Sequence, residues 1–134
     1  MSNLPEYTFW NLSVHVDQKG ALCPIEFSSL PFSPRRMYFI YDVKELRGGH
    51  AHTEEQEVFV CIAGSFSARI HDGAAWHTFA MNQPGQALYT DKMIWHEFDE
   101  FSPDAIMLAI SSTVYNGTKG YIMELQDFIN SKNA

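Results

Sequence analysis

The chain has 134 residues, enough for one domain built around one core. Its 46% hydrophobic and 19% charged content excludes a disordered segment, and 14% aromatic content favours strands over helices. Nine Lys and Arg against sixteen Asp and Glu leave a formal charge of −7, which repels phosphate backbones and argues against nucleic-acid binding.

In chain order, Thr8 to Val16 is β-rich and Asp17-Gln18-Lys19-Gly20 supplies a turn. Ala21 to Phe27 resumes an extended pattern before a loop with Pro31 and Pro34. Arg36 to Tyr41 is apolar and aromatic on both faces, which predicts an interior strand. Gly48-Gly49 breaks the chain before His50, and Val58 to Ile62 is a fully apolar run ending at Gly64. Phe66, Ala68 and Ile70 alternate with Ser67, Arg69 and His71, the pattern of a half-buried strand, and Asp72-Gly73 signals a hairpin. Trp76 to Met81 is the return strand, followed by strands at Ala87 to Thr90 and Ala105 to Ser111. Helical spacing of Ile122, Leu125 and Phe128/Ile129 predicts one closing helix over Tyr121 to Asn130. Many short strands and one terminal helix predict an all-β jelly-roll barrel as a single domain over residues 1–134.

Cys23 and Cys61 sit among apolar neighbours without metal-ligand spacing and read as buried, reduced thiols. The start, Met1 to Glu6, lacks the basic residues and apolar run of a signal peptide, and no stretch approaches membrane-spanning length. The expected compartment is the cytoplasm, with no membrane partner. Lys19, Arg35, Arg36, Lys44 and Arg47 all fall in the first third, a local basic cluster suited to a small phosphorylated ligand.

The chemistry-bearing residues cluster around His50-Ala51-His52. In a strand, residues i and i+2 share a face about 6.6 Å apart, so both imidazoles point into one cavity. Glu57 follows a short turn, and Trp95-His96-Glu97 brings a third imidazole from another strand. His15, His71 and His77 lack such partners and read as ordinary strand residues.

His50, His52, Glu57 and Gly64 resemble the first motif of the cupin superfamily, and Gly85 with His96 resembles part of the second. The surrounding text is more specific: Arg36 to Asp42, Arg47 to His52, Val60 to Ser65, Asp72-Gly73, Leu88-Tyr89 and Ile94 to Phe98. In this order they are similar to the nucleotide-sugar 3,4-ketoisomerases acting on dTDP-4-keto-6-deoxyglucose.

The resemblance implies a cupin fold and a metal-independent proton shuttle with no cofactor, serving deoxyamino-sugar biosynthesis for surface glycans. It implies His50 and His52 as the catalytic pair, with His52 as principal base. The enediolate oxygens would find donors in Tyr38, Tyr41 or His96, and the diphosphate cations in Lys19, Arg36 and Arg47. Trp95 could stack on a base or a sugar. The expected partners are a dTDP-linked keto-deoxyhexose and a second copy of the chain, since Tyr7, Phe9, Trp10 and Leu12 exceed the apolar needs of an edge strand. Three positions depart from the pattern: Lys19 for Arg, Met123 for Arg, and Glu57 where these isomerases more often carry Gln. Glu57 restores the quartet His50, His52, Glu57 and His96, so the alternative is one divalent transition metal and a dioxygenase or sugar isomerase. A non-catalytic sugar- or nucleotide-binding cupin is the other alternative.

Overall fold

Alternation of inward and outward side chains organises most of this chain. In the computed structural model, which describes residues 5–134, that alternation runs through twelve strands and one α-helix, numbered in chain order. One sheet has the spatial order β1 (Tyr7–Asn11), β9 (Gln86–Thr90), β6 (Glu57–Ala63), β11 (Ile106–Ser111) and β4 (Arg36–Ile40). The other runs β12 (Tyr121–Ile122), β5 (Arg47–His52), β10 (Trp95–Asp99), β7 (Phe66–His71) and β8 (Trp76–Met81). A small hairpin of β2 (His15–Asp17) and β3 (Gly20–Leu22) stands apart, with every residue exposed.

The inner faces of the two large sheets meet in one core. Phe59, Cys61, Leu88, Met107 and Ala109 from the first pack with Phe66, Ala68, Ile70, Met81 and Phe98 from the second. Each large apolar side chain buried there contributes about 1.5–3 kcal/mol. This is the all-β jelly-roll barrel that the short strands predict.

The continuous apolar run of β6 has a physical cause, because both of its faces are covered. Val58 and Val60 point outward with Ala87 and Tyr89, beneath a lid that includes Trp10, Leu12, Ile25 and Leu30. On the second sheet the outer cover is α1 (Leu125–Lys132), whose Phe128 is buried against Ala51 and Trp95.

Three expectations are corrected. The closing helix starts at Leu125, not Tyr121, and Tyr121–Ile122 is a short strand paired with β5. Ile122 still packs beneath the helix, so the apolar spacing was real but spans two kinds of element. β4 is an edge strand rather than an interior one, since Arg36, Tyr38 and Ile40 face inward while Met37 and Phe39 are each 61% exposed. Of the two free cysteines, Cys61 is buried but Cys23 is exposed. Met1 to Leu4 of the leader argument lie outside the described residues. No helix among the described residues is long and apolar enough to cross a membrane.

Candidate active site

The site is set up by a bulge in β5. His50 pairs with His96 and Gly48 with Glu97, which leaves Gly49 without a partner on β10. Both glycines lie in the left-handed region, Gly48 at φ 82° and Gly49 at φ 81°. A Cβ on Gly48 would stand 2.8 Å from the His96 carbonyl oxygen, so only glycine permits this approach. The bulge re-aims the strand so that His50 and His52 face the interior, with His96 directly across the ladder from His50.

The three imidazoles lie close together, with ring centroids 4.7 Å apart for His50–His52, 4.9 Å for His50–His96 and 5.2 Å for His52–His96. They border a cavity of about 450 Å³. Tyr121, opposite His52 in register, stacks on His50 at 4.5 Å and meets the His52 ring edge-on at 4.3 Å. Beneath them Glu57 is 1% exposed and accepts a hydrogen bond from the Tyr38 hydroxyl at 3.0 Å. Its Oε2 lies 3.4 Å from His52 Nε2 and 3.8 Å from His96 Nε2.

Burial governs the charges. It lowers the His50 pKa to about 4, helped by His52, and it pushes His96 well below the usual imidazole range. His52 is also lowered by burial, which outweighs the attraction of Glu55. Burial raises Glu57 well above the ordinary carboxyl range, reinforced by its hydrogen bond with Glu55 and that residue's charge. Glu55 moves the other way: burial pushes it up, but hydrogen bonds from Glu57, Ser111 and Thr113 and the attraction of His52 prevail. Burial and Glu57 together raise Tyr38. Burial therefore favours the neutral form of the three imidazoles and of Glu57, while the surroundings of Glu55 favour its charged form.

The structure brings together His50, His52, His96, Arg36, Tyr38 and Arg47, all of which line the cavity. Arg36 is committed elsewhere, donating to Glu55 at 3.0 Å, with its guanidinium 5.6 Å from the ring centres of Tyr38 and Tyr115. Three predicted site residues lie outside the cavity of this chain. Tyr41 follows the outward parity of Met37 and Phe39, is 60% exposed and stacks on Phe39. Trp95 must face away because its neighbour His96 faces in; it is buried under α1, and its indole N–H donates to Glu97. Lys19 sits in the turn of the β2–β3 hairpin, exposed to solvent. Sequence reasoning missed Tyr121, Tyr115 and Glu55. Tyr121 did carry a signal, since it stands two residues before Met123, a position the resemblance had singled out.

The residues do not assemble the metal quartet. His50, His52 and His96 offer ring nitrogens within 4.8 Å of one another, whereas Glu57 groups instead with His52 and Glu55. Three imidazoles alone suit a divalent transition ion, but the four-ligand set does not fit this geometry.

Comparison with known proteins places these observations in one family. Residues 5–133 match the family described as "FdtA: WxcM-like, C-terminal". A TDP-4-oxo-6-deoxy-alpha-D-glucose-3,4-oxoisomerase from Aneurinibacillus thermoaerophilus is 36% identical over 121 residues, covering 88% of this chain and 86% of that protein. Among solved structures, a 3,4-ketoisomerase from Helicobacter canadensis is similar with TM-score 0.89 and 32% identity, over 96% of this chain and 98% of the other. A variant of the 3,4-ketoisomerase QdtA from Thermoanaerobacterium thermosaccharolyticum, in complex with TDP-4-keto-6-deoxyglucose, gives TM-score 0.88 at 26% identity, over 97% of this chain and 96% of that chain. The histidine-lined barrel described here thus belongs to the FdtA, WxcM-like C-terminal family.

Proposed function

We propose that this protein is a TDP-sugar 3,4-ketoisomerase, converting TDP-4-keto-6-deoxyglucose into a TDP-3-keto-6-deoxyhexose. The observation that carries the reading is the group of three neutral imidazoles, His50, His52 and His96, facing one cavity of about 450 Å³. The sugar's C4 ketone acidifies the proton on C3. A neutral imidazole removes that proton, the C3–H electrons form the C3–C4 double bond, and O4 takes up a proton to give an enediol. Return of a proton to C4, with loss of the one on O3, leaves the ketone at C3. Electrons and protons balance, so the step consumes no oxidant, and no cofactor or metal enters it.

His50 and His52 are the acid–base pair, adjacent and unprotonated at working pH. Hydroxyls of Tyr38 and Tyr121, both held un-ionised, and the His96 ring border the space where enediolate charge develops. Arg47 is the diphosphate ligand, because Arg36 is already paired with Glu55.

The working unit is a homodimer of single cupin domains spanning residues 1–134. Two uncovered surfaces support the pairing: the outer face of β4 with Met37, Phe39 and Tyr41, and the hairpin that exposes Val16 (76%) and Leu22 (62%). Exchange of that hairpin is the route by which Lys19 reaches a substrate in the partner's cavity. The enzyme works in the cytoplasm, on a path to deoxyamino sugars of surface glycans. Incubation with TDP-4-keto-6-deoxyglucose, followed by proton NMR, tests the assignment. A 3-keto product supports it; a bound but unchanged sugar would mean a sensor instead.

A further inference from the structure

We propose that Glu55 is a positioning residue for the isomerisation, holding His52 and Arg36 from a second cavity outside the substrate site. The inference rests on the isomerase reading above. Glu55 lies in the turn joining β5 to β6 and is 6% exposed. Its Oε2 accepts from Arg36 at 3.0 Å and its Oε1 from the Thr113 hydroxyl at 3.0 Å. The same Oε1 lies 3.7 Å from His52 Nδ1, a buried nitrogen that has no hydrogen-bond partner. That span is closed by one bridging water or a small turn of the ring.

The placement has a second part. A cavity of about 390 Å³ is lined by Glu55, Glu54, Thr113, Lys119, Gly120 and, on its inner side, His52. His52 therefore forms a wall of two cavities, whereas His50 and His96 line only the first. With the sugar filling the first cavity, the second still gives solvent a path to the Glu55 side of the ring.

Stability alone does not account for this arrangement. A buried Arg–carboxylate pair is often no better than packed apolar side chains, because desolvation offsets the attraction. A carboxylate that also approaches a catalytic imidazole has a further use. When His52 holds the proton taken from C3, its imidazolium lies beside Glu55. That pairing steadies the ring until it returns the proton to C4 from its cavity-facing nitrogen, while Nδ1 keeps its own proton towards Glu55. The transfer moves protons only and leaves both carbon oxidation states to the isomerisation itself.

The test compares wild type with Glu55→Gln and Glu55→Asp, measuring kcat and KM. Glu55→Gln is expected to lower kcat about tenfold, the scale for partners that orient a reactive imidazole. KM should stay within about twofold, and Glu55→Asp should recover part of the lost kcat. Wild-type kcat in Glu55→Gln would overturn the proposal. So would a rise in KM alone, which would reduce Glu55 to an anchor for Arg36. Should Glu55→Gln fail to fold, Thr113→Val removes one support of the carboxylate and is expected to act in the same direction more weakly. Imidazole nitrogen NMR shifts of His52, read without substrate, separate the two readings. They are expected to move in Glu55→Gln even if the wild type turned over no sugar, and unchanged shifts would count against Glu55.

Discussion

Replacing Glu57 by Gln probes the charge state of the pocket floor directly. Glu57 is 1% exposed, accepts from Tyr38, and is raised well above the ordinary range by burial and by Glu55. In the unfolded chain its carboxyl ionises in the ordinary carboxyl range, while the fold holds the proton to higher pH. The unfolded state then binds fewer protons, so folding stability falls as pH rises, from the unfolded pKa up to the folded one. The slope is about 1.4 kcal/mol per pH unit while the buried carboxyl stays protonated. Gln has nearly the same shape, still accepts the Tyr38 hydrogen bond, and releases no proton. As pH rises above the ordinary carboxyl range, Glu57→Gln should therefore gain on wild type at up to that slope. Urea unfolding of both proteins at several pH values measures this difference, and groups common to both cancel. A stability difference that does not change with pH would refute the argument and mean that Glu57 is ionised in the fold. Isomerase activity of the variant should stay substantial, since a protonated Glu57 is already Gln-like.

His50→Ala and His52→Ala should each lower turnover by roughly 10²- to 10⁴-fold while circular dichroism reports an intact fold. Near-normal turnover by either would remove that residue from the mechanism. On the acid side, kcat/KM is expected to hold below pH 6 and fall as His50 protonates near its pKa of about 4, where an unperturbed imidazole would give a fall near 6.5. Elemental analysis should find much less than one metal ion per chain, and chelator should leave activity intact; inactivation reversed by added metal would overturn the shuttle. Sedimentation should show a dimer at micromolar concentration, and Phe39→Asp on the open face of β4 should shift it towards monomer.

The inward parity of the site strands was legible because alternation is a local property. Phe66, Ala68 and Ile70 face inward as their spacing demands, and the His-x-His pair shares one face. The same rule, applied one residue further, would have turned Trp95 away from the cavity once His96 was placed inside. β4 read as interior because both its faces are apolar, yet sequence does not distinguish a face covered by this chain from one left open. Tyr121 was hidden because a two-residue strand carries no period of its own, and its apolar neighbour Ile122 continues the helical spacing. Glu55 was beyond sequence reasoning, because its partners Arg36 and Thr113 lie 19 and 58 residues away. Its neutral neighbour Glu57 depends on total burial, which only the packed barrel supplies.

The unpaired glycine ahead of His50 bears on any attempt to move this chemistry to another scaffold. The spacing of the imidazoles is fixed by the backbone, through a left-handed Gly48 packed against the His96 carbonyl. Transplanting the three histidines onto a regular barrel strand would copy the side chains and lose the register that aims them. Even Gly48→Ala, far smaller than any change of fold, would force β5 and β10 apart at the rung where two of the rings face each other. The portable unit is the pair of strands with their bulge, and the histidines travel only as part of it.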